Sequence, residues 1–172
     1  MFKILLALAI SLPAFAALKF EPVKNYATKA EIEKIARAAN KLQEVVDSKC
    51  FADWLGAQKM NQANGRTSAE VVLHLRSLTD VVPVKMYTRR FSSAVAYRQP
   101  PHKTINLNRT FFKLSLSDCR WAATMAHEGH GHAIGGYGHS FNWTREREDT
   151  VPYILSGRKA QYGGDVFSKC CQ

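Results

Sequence analysis

No stretch of this chain stays apolar over the roughly 20 residues that a membrane-spanning helix needs. The longest apolar run, Ile4 to Leu12, is far too short, and it sits between Lys3 and the small residues Ala14 and Ala16. That pattern predicts a secretory signal peptide, residues 1–16, cut after Ala16, and an exported mature chain of residues 17–172 forming one domain. Acidic residues are also scarce. Asp and Glu number 14 against 24 Lys and Arg, a net charge of +10, so the surface should be drawn to anions. The basic residues are scattered, from Lys24 through Arg89-Arg90 to Arg158-Lys159, with no run resembling a nucleic-acid-binding arm. An anionic envelope polymer or an acidic substrate is therefore a better expected partner than nucleic acid, and a merely solvated basic surface is the plainest reading. No Cys-x-x-Cys spacing is present, which argues against a cysteine-ligated zinc site. The four cysteines, Cys50, Cys119, Cys170 and Cys171, instead suit disulfides in an oxidising compartment. Setting aside a strained bond between neighbours Cys170 and Cys171, two pairings remain open, each tying the C-terminus to Cys50 and Cys119. There is no nucleotide-binding glycine loop, serine-nucleophile elbow, cysteine-switch motif, internal repeat or low-complexity tract.

What is present alternates helical and strand-like patterns. Residues 19–26 read as an extended lead-in. Thr28 and Glu31 form a capping box for a helix over residues 28–47, with Ile32, Ile35, Ala39, Leu42 and Val46 at helical spacing. A short helical continuation runs from Cys50 to about Gly56. Asn64-Gly65 is a turn, and Thr67 or Ser68 caps a second helix carrying Val71, Val72, Leu75 and Leu78. Three short alternating segments, residues 82–88, 93–98 and 104–109, then predict a small antiparallel sheet. Ser117-Asp118 caps a last helix that bears Trp121 and Met125 and ends at Gly135-Gly136. The fold class expected is α+β: N-terminal helices, a small sheet, then a helix that runs into a glycine-rich turn.

That last helix concentrates the chemistry. Residues 127–139 hold four of the six histidines, His127, His130, His132 and His139, with Glu128 directly after the first. Histidine is the usual side-chain zinc ligand, and a His-Glu pair places a ligand beside a general base. An α-helix advances about 100° per residue, so a residue three along shares the face of His127, while one five along is displaced by roughly 140°. His127 and His130 can therefore chelate one ion from a regular helix. His127 and His132 can do so only if the helix accommodates one extra residue as a π-type bulge, which Gly129 and Gly131 would ease.

The order His127-Glu128, His132, Gly135 and His139 resembles the secreted zincin metallopeptidase pattern His-Glu-x-x-His-x-x-Gly-x-x-His, with one residue inserted in each half. The resemblance covers about residues 121–139. A broader likeness, through Asp47 to Phe51, Asn64-Gly65, Ile105 to Arg109 and Thr150 to Tyr153, is to poorly characterised secreted bacterial proteins with a metallopeptidase-like core. It implies a zincin-like domain with zinc (Zn2+) held by His127, His132 and His139, His130 being the alternative ligand, and a fourth position open to water. It further implies Glu128 as the proton-transferring base. Tyr153, or failing that Tyr137, is the candidate for stabilising the oxyanion, and Asp149 or Glu146 for supporting a ligand. The strand over residues 104–109 is expected to hold an extended substrate by strand addition. The implied partner is a protein or peptide, including peptidoglycan cross-links. Two other classes remain in view: a noncatalytic metal-binding protein using the same histidines, and a disulfide-tied binding domain derived from a peptidase. His74 reads as a surface or half-buried residue of the second helix, and His102 as a loop residue.

Overall fold

The computed structural model describes residues 18–61, 63–90, 96–98, 103–138, 150–156 and 164–172. Helix α1 (Lys29–Asp47) begins at the expected capping box: the Glu31 backbone N–H donates to Thr28 Oγ1, and Glu31 Oε2 accepts from the Thr28 backbone N–H. Its apolar stripe, Ile35, Ala38, Leu42, Val45 and Val46, is buried. Ser48 accepts from the Phe51 backbone and starts α2 (Lys49–Gly56), so the second segment is a separate helix. Asn64 and Gly65 take the left-handed turn conformation, and Thr67 caps α3 (Ser68–Arg76).

The sheet departs from expectation. The lead-in is a strand, β1 (Lys19–Pro22), and it pairs in parallel with β2 (Val81–Tyr87). Strand β4 (Ile105–Asn108) also runs parallel to β2, and only β3 (Ala96–Arg98) is antiparallel, so the order β1-β2-β4-β3 forms a mixed sheet. The antiparallel expectation failed for two reasons. Between β1 and β2 the chain passes through three helices, the long crossover that a parallel pair requires. The Ile-Asn-Leu-Asn alternation of β4 also imitates a half-solvated strand, yet all four residues are buried. Asn106 donates to the Tyr97 carbonyl. Asn108 donates to the Arg89 carbonyl and accepts from the Arg89 and Thr110 backbones, which is how two polar side chains lie in an interior strand without an unpaired group. An Asn108 used in this way is no glycan acceptor, despite its Asn-x-Thr context.

One apolar face of the sheet, Phe20, Val82, Val84, Met86, Ile105 and Leu107, meets the buried side chains of α1 and of α4 (Asp118–Met125). Trp121 of α4 is fully buried, edge-on to Phe112 at 5.2 Å, with its indole N–H donating to the Lys113 carbonyl. Polar ties fix α4 in place. The buried ammonium of Lys34 on α1 pairs with Asp118 at 2.6 Å and also donates to the Leu116 carbonyl. Lys34, aided by Arg37, holds the Asp118 carboxyl below its ordinary pKa. Two short helices, α5 (Val151–Leu155) and α6 (Val166–Cys170), close the fold. Of the two disulfide pairings left open, the structure has Cys50–Cys170 and Cys119–Cys171, so the C-terminus is stapled to α2 and to the first turn of α4.

The end of β4 is tied to α1 by Arg109. Its guanidinium donates to both Glu31 oxygens, at 2.7 and 3.1 Å, and to the Tyr26 carbonyl. Burial alone raises the Glu31 carboxyl, but the Arg109 hydrogen bond and the Thr28 N–H outweigh it and leave the pKa lowered. A carboxylate so depressed adds stability above its unfolded pKa and loses it as pH falls through the folded value. Arg109→Gln is therefore expected to cost about 2 kcal/mol at neutral pH, discounted for the partly exposed guanidinium, with the loss shrinking in acid. Urea melts at neutral and acid pH check this. An unchanged gap between variant and parent across that range would refute it.

Candidate functional site

Helix α4 does not continue as an α-helix. From Ala126 to Ala133 the backbone is a π-helix, and the Ile134 N–H donates to the Gly129 carbonyl five residues back, at 3.0 Å. In such a ladder residues five apart lie one above the other, as residues four apart do in an α-helix. His127 and His132 consequently share a face, with ring centroids 5.1 Å apart. The exit from the π-helix is wider in the same way. The Tyr137 N–H reaches the Gly131 carbonyl and the Gly136 N–H the His132 carbonyl, each bond spanning one residue more than in a Schellman turn, with Gly136 at φ 72°.

Both histidines are half-buried and both are oriented through Nδ1. His127 Nδ1 lies 3.0 Å from the Ser156 carbonyl, and His132 Nδ1 lies 2.7 Å from the Tyr137 carbonyl. A carbonyl only accepts, so each Nδ1 carries a proton, and in the neutral tautomer that this defines Nε2 is the acceptor nitrogen. Tyr153 of α5 packs edge-on against His127 at 4.9 Å. Glu128, the residue after His127, is buried. Its charge reaches Tyr87, whose pKa is raised by burial first, then by Tyr97, and by Glu128 as well.

His130 points elsewhere. It is buried against Phe20 of β1, centroids 6.0 Å apart, and burial pushes its pKa down to about 3. The regular-helix alternative, His127 with His130, is thus not the geometry adopted, and His130 does not face solvent; it is a neutral core residue. The glycines that interleave the histidines serve packing. A Cβ on Gly129 would stand 2.6 Å from the Phe20 ring, and one on Gly131 would stand 2.9 Å from Pro152 of α5. The π-helix is thereby pressed between β1 and α5. Its C-terminal turn is clamped from outside: His74 donates through Nε2 to the Gly135 carbonyl and Asn64 to the Gly136 carbonyl. His74 is half-buried, as expected for the second helix.

The Tyr137 ring is buried edge-on to His74, and burial, opposed by Arg66, raises its pKa. What Tyr137 supplies to the site is its backbone carbonyl. Strand β4, expected to take substrate by strand addition, lies between β2 and β3, so it has no free edge; the strand at that end of the sheet is β3. Trp54 and Trp121 pack with the core. His139, Asp149, Glu146, His102 and Trp143 lie outside the described residues, as does the signal segment, and among the described residues no group of three or more potential ligands gathers. Sequence reasoning missed the Ser156 and Tyr137 carbonyls, for which no side-chain signature exists. It also missed the stacking of Phe20 on His130, signalled only by the smallness of Gly129. No protein-family model, no curated protein and no solved structure matches the chain.

Proposed function

We propose that this chain is an exported zinc-dependent hydrolase of the peptidase class, acting on proteins or on peptide cross-links of a cell envelope. One observation carries the reading: the π-helix aligns His127 with His132 while both Nδ1 atoms are spent on backbone carbonyls. Metal-bound imidazoles are held in this way, the second nitrogen donating to a carbonyl while the first faces the ion. The donor chemistry fits zinc, with His127 and His132 as ligands and His139 as the third. Zinc supplies a Lewis acid that polarises a carbonyl and acidifies water. The chain's own groups account for the rest. Glu128, next to the first ligand, takes the proton of the attacking water and returns it to the leaving amine nitrogen. Tyr153 donates its hydroxyl to the carbonyl oxygen as charge develops there. Export is supported by the signal pattern at residues 1–16 and by the two disulfides. Excess positive charge favours anionic envelope peptides as substrate.

Metal analysis tests the reading. Protein from zinc-replete medium should carry one zinc per chain, and its absence would remove the basis of the proposal. His132→Ala should lose that zinc, whereas His130→Leu, an apolar replacement in an apolar pocket, should keep it. Greater loss from His130→Leu would overturn the ligand set.

A further inference from the structure

Residues 109–116 form a turn that is anchored firmly yet leaves large apolar side chains outside. Phe112 is buried against Trp121, the Lys113 carbonyl accepts from the Trp121 indole, and the Leu116 carbonyl accepts from Lys34. Between these anchors Phe111 and Leu114 remain 39% and 48% exposed. Folding does not require them there, because Phe112 already fills the core position.

Basic residues adjoin this turn. Lys113 separates Phe112 from Leu114 and is exposed. Arg89 and Arg90, both exposed, follow β2, and Asn108 Oδ1 accepts from the backbones of Arg89 and Thr110, which sets these arginines beside the turn. Arg109 Nη2 donates to the Tyr26 carbonyl, and the half-exposed Tyr26 ring lies 4.8 Å under the Lys85 ammonium. The carboxylates near the turn are already paired, Glu31 with Arg109 and Asp118 with Lys34 and Arg37. Among the described residues no carboxylate pairs with Lys85, Arg89, Arg90 or Lys113.

We propose that this face, with Phe111 and Leu114 at its tip, Lys113 between them, Arg89 and Arg90 beside the turn and Lys85 further along past Tyr26, docks the protein on an anionic lipid surface. Apolar side chains that enter the headgroup region, ringed by lysine and arginine, are the chemistry of peripheral attachment to acidic bilayers. A second copy of the chain fits less well, since a two-fold pairing through this face would set like charges against each other. No helix among the described residues is long and apolar enough to cross a membrane, so contact by this route is interfacial.

Co-sedimentation of the exported full chain with vesicles tests the inference. Binding to phosphatidylcholine vesicles containing phosphatidylglycerol should exceed binding to phosphatidylcholine alone by at least about tenfold, and should weaken with salt. Phe111→Ser with Leu114→Ser should reduce it about tenfold or more while the melting temperature and zinc content stay as in the parent. Both side chains are exposed, so the fold has little to lose. Absence of binding to acidic vesicles overturns the proposal. So does equal binding by the double variant, with dextran sulfate competing fully, which would make the face a general polyanion site. Loss of self-association in the double variant without any vesicle binding would identify a second copy as the occupant and equally overturn it.

Discussion

Glu128→Gln is expected to lower peptide hydrolysis by about two to four orders of magnitude while zinc content and melting temperature stay at parental values. Glutamine matches glutamate in shape and can fill the same buried place. What it lacks is a basic oxygen able to take a proton from water and hand it to nitrogen. The proposed ligands His127 and His132 are separate side chains oriented by the Ser156 and Tyr137 carbonyls, so zinc retention is not expected to depend on the carboxylate. Turnover of a fluorogenic peptide library, with metal analysis of the same preparations, makes the measurement. Undiminished hydrolysis would reject Glu128 as the base. Zinc bound by both forms with no hydrolysis in either would favour a noncatalytic metal-binding protein.

The helices were legible because their signals are local. Thr28 with Glu31 and Thr67 with Glu70 each form a capping box, and Ser117 caps α4 within one turn of the first buried side chain. The bulged ladder was legible for a related reason: a five-residue interval between His127 and His132 leaves the backbone few ways to align them, and the structure has the π-helix. The sheet was not legible. Strand direction depends on where the chain returns after α1 to α3, and no residue in β1 encodes that. The buried amides of Asn106 and Asn108 counterfeit a solvent face because their partners, the Tyr97 and Arg89 backbones, come from other segments of the chain. His130, the alternative ligand, could not be placed from the sequence either. Its spacing from His127 suits a regular helix, but the added residue rotates it onto Phe20, where burial keeps it neutral. Disulfide pairing stayed open in the sequence because Cys170 and Cys171 are adjacent, and the choice follows from α6 docking against α2.

Adjacent glycines at the end of the π-helix should respond very differently to alanine. At Gly136 the backbone has φ 72°, yet a Cβ there meets nothing within 4 Å. The cost is the left-handed conformation alone, about 1–2 kcal/mol, or a few degrees in melting temperature for a chain of this size. At Gly135 a Cβ would lie 1.8 Å from the His130 carbonyl oxygen, which is backbone and cannot swing aside. The turn itself has to open. Opening it breaks the Tyr137–Gly131 backbone bond and withdraws the Tyr137 carbonyl from His132 Nδ1, so the penalty should exceed about 4 kcal/mol. Zinc affinity should fall with it by about ten- to a hundredfold, since an imidazole without its carbonyl partner is free to rotate. Gly136→Ala, by contrast, leaves both contacts in place and should keep its zinc. Thermal melts and competitive chelator titrations of the two variants decide the matter. Equal costs, or the greater cost at Gly136, would mean that the wide turn closing the π-helix is not what fixes His132 on the face of His127.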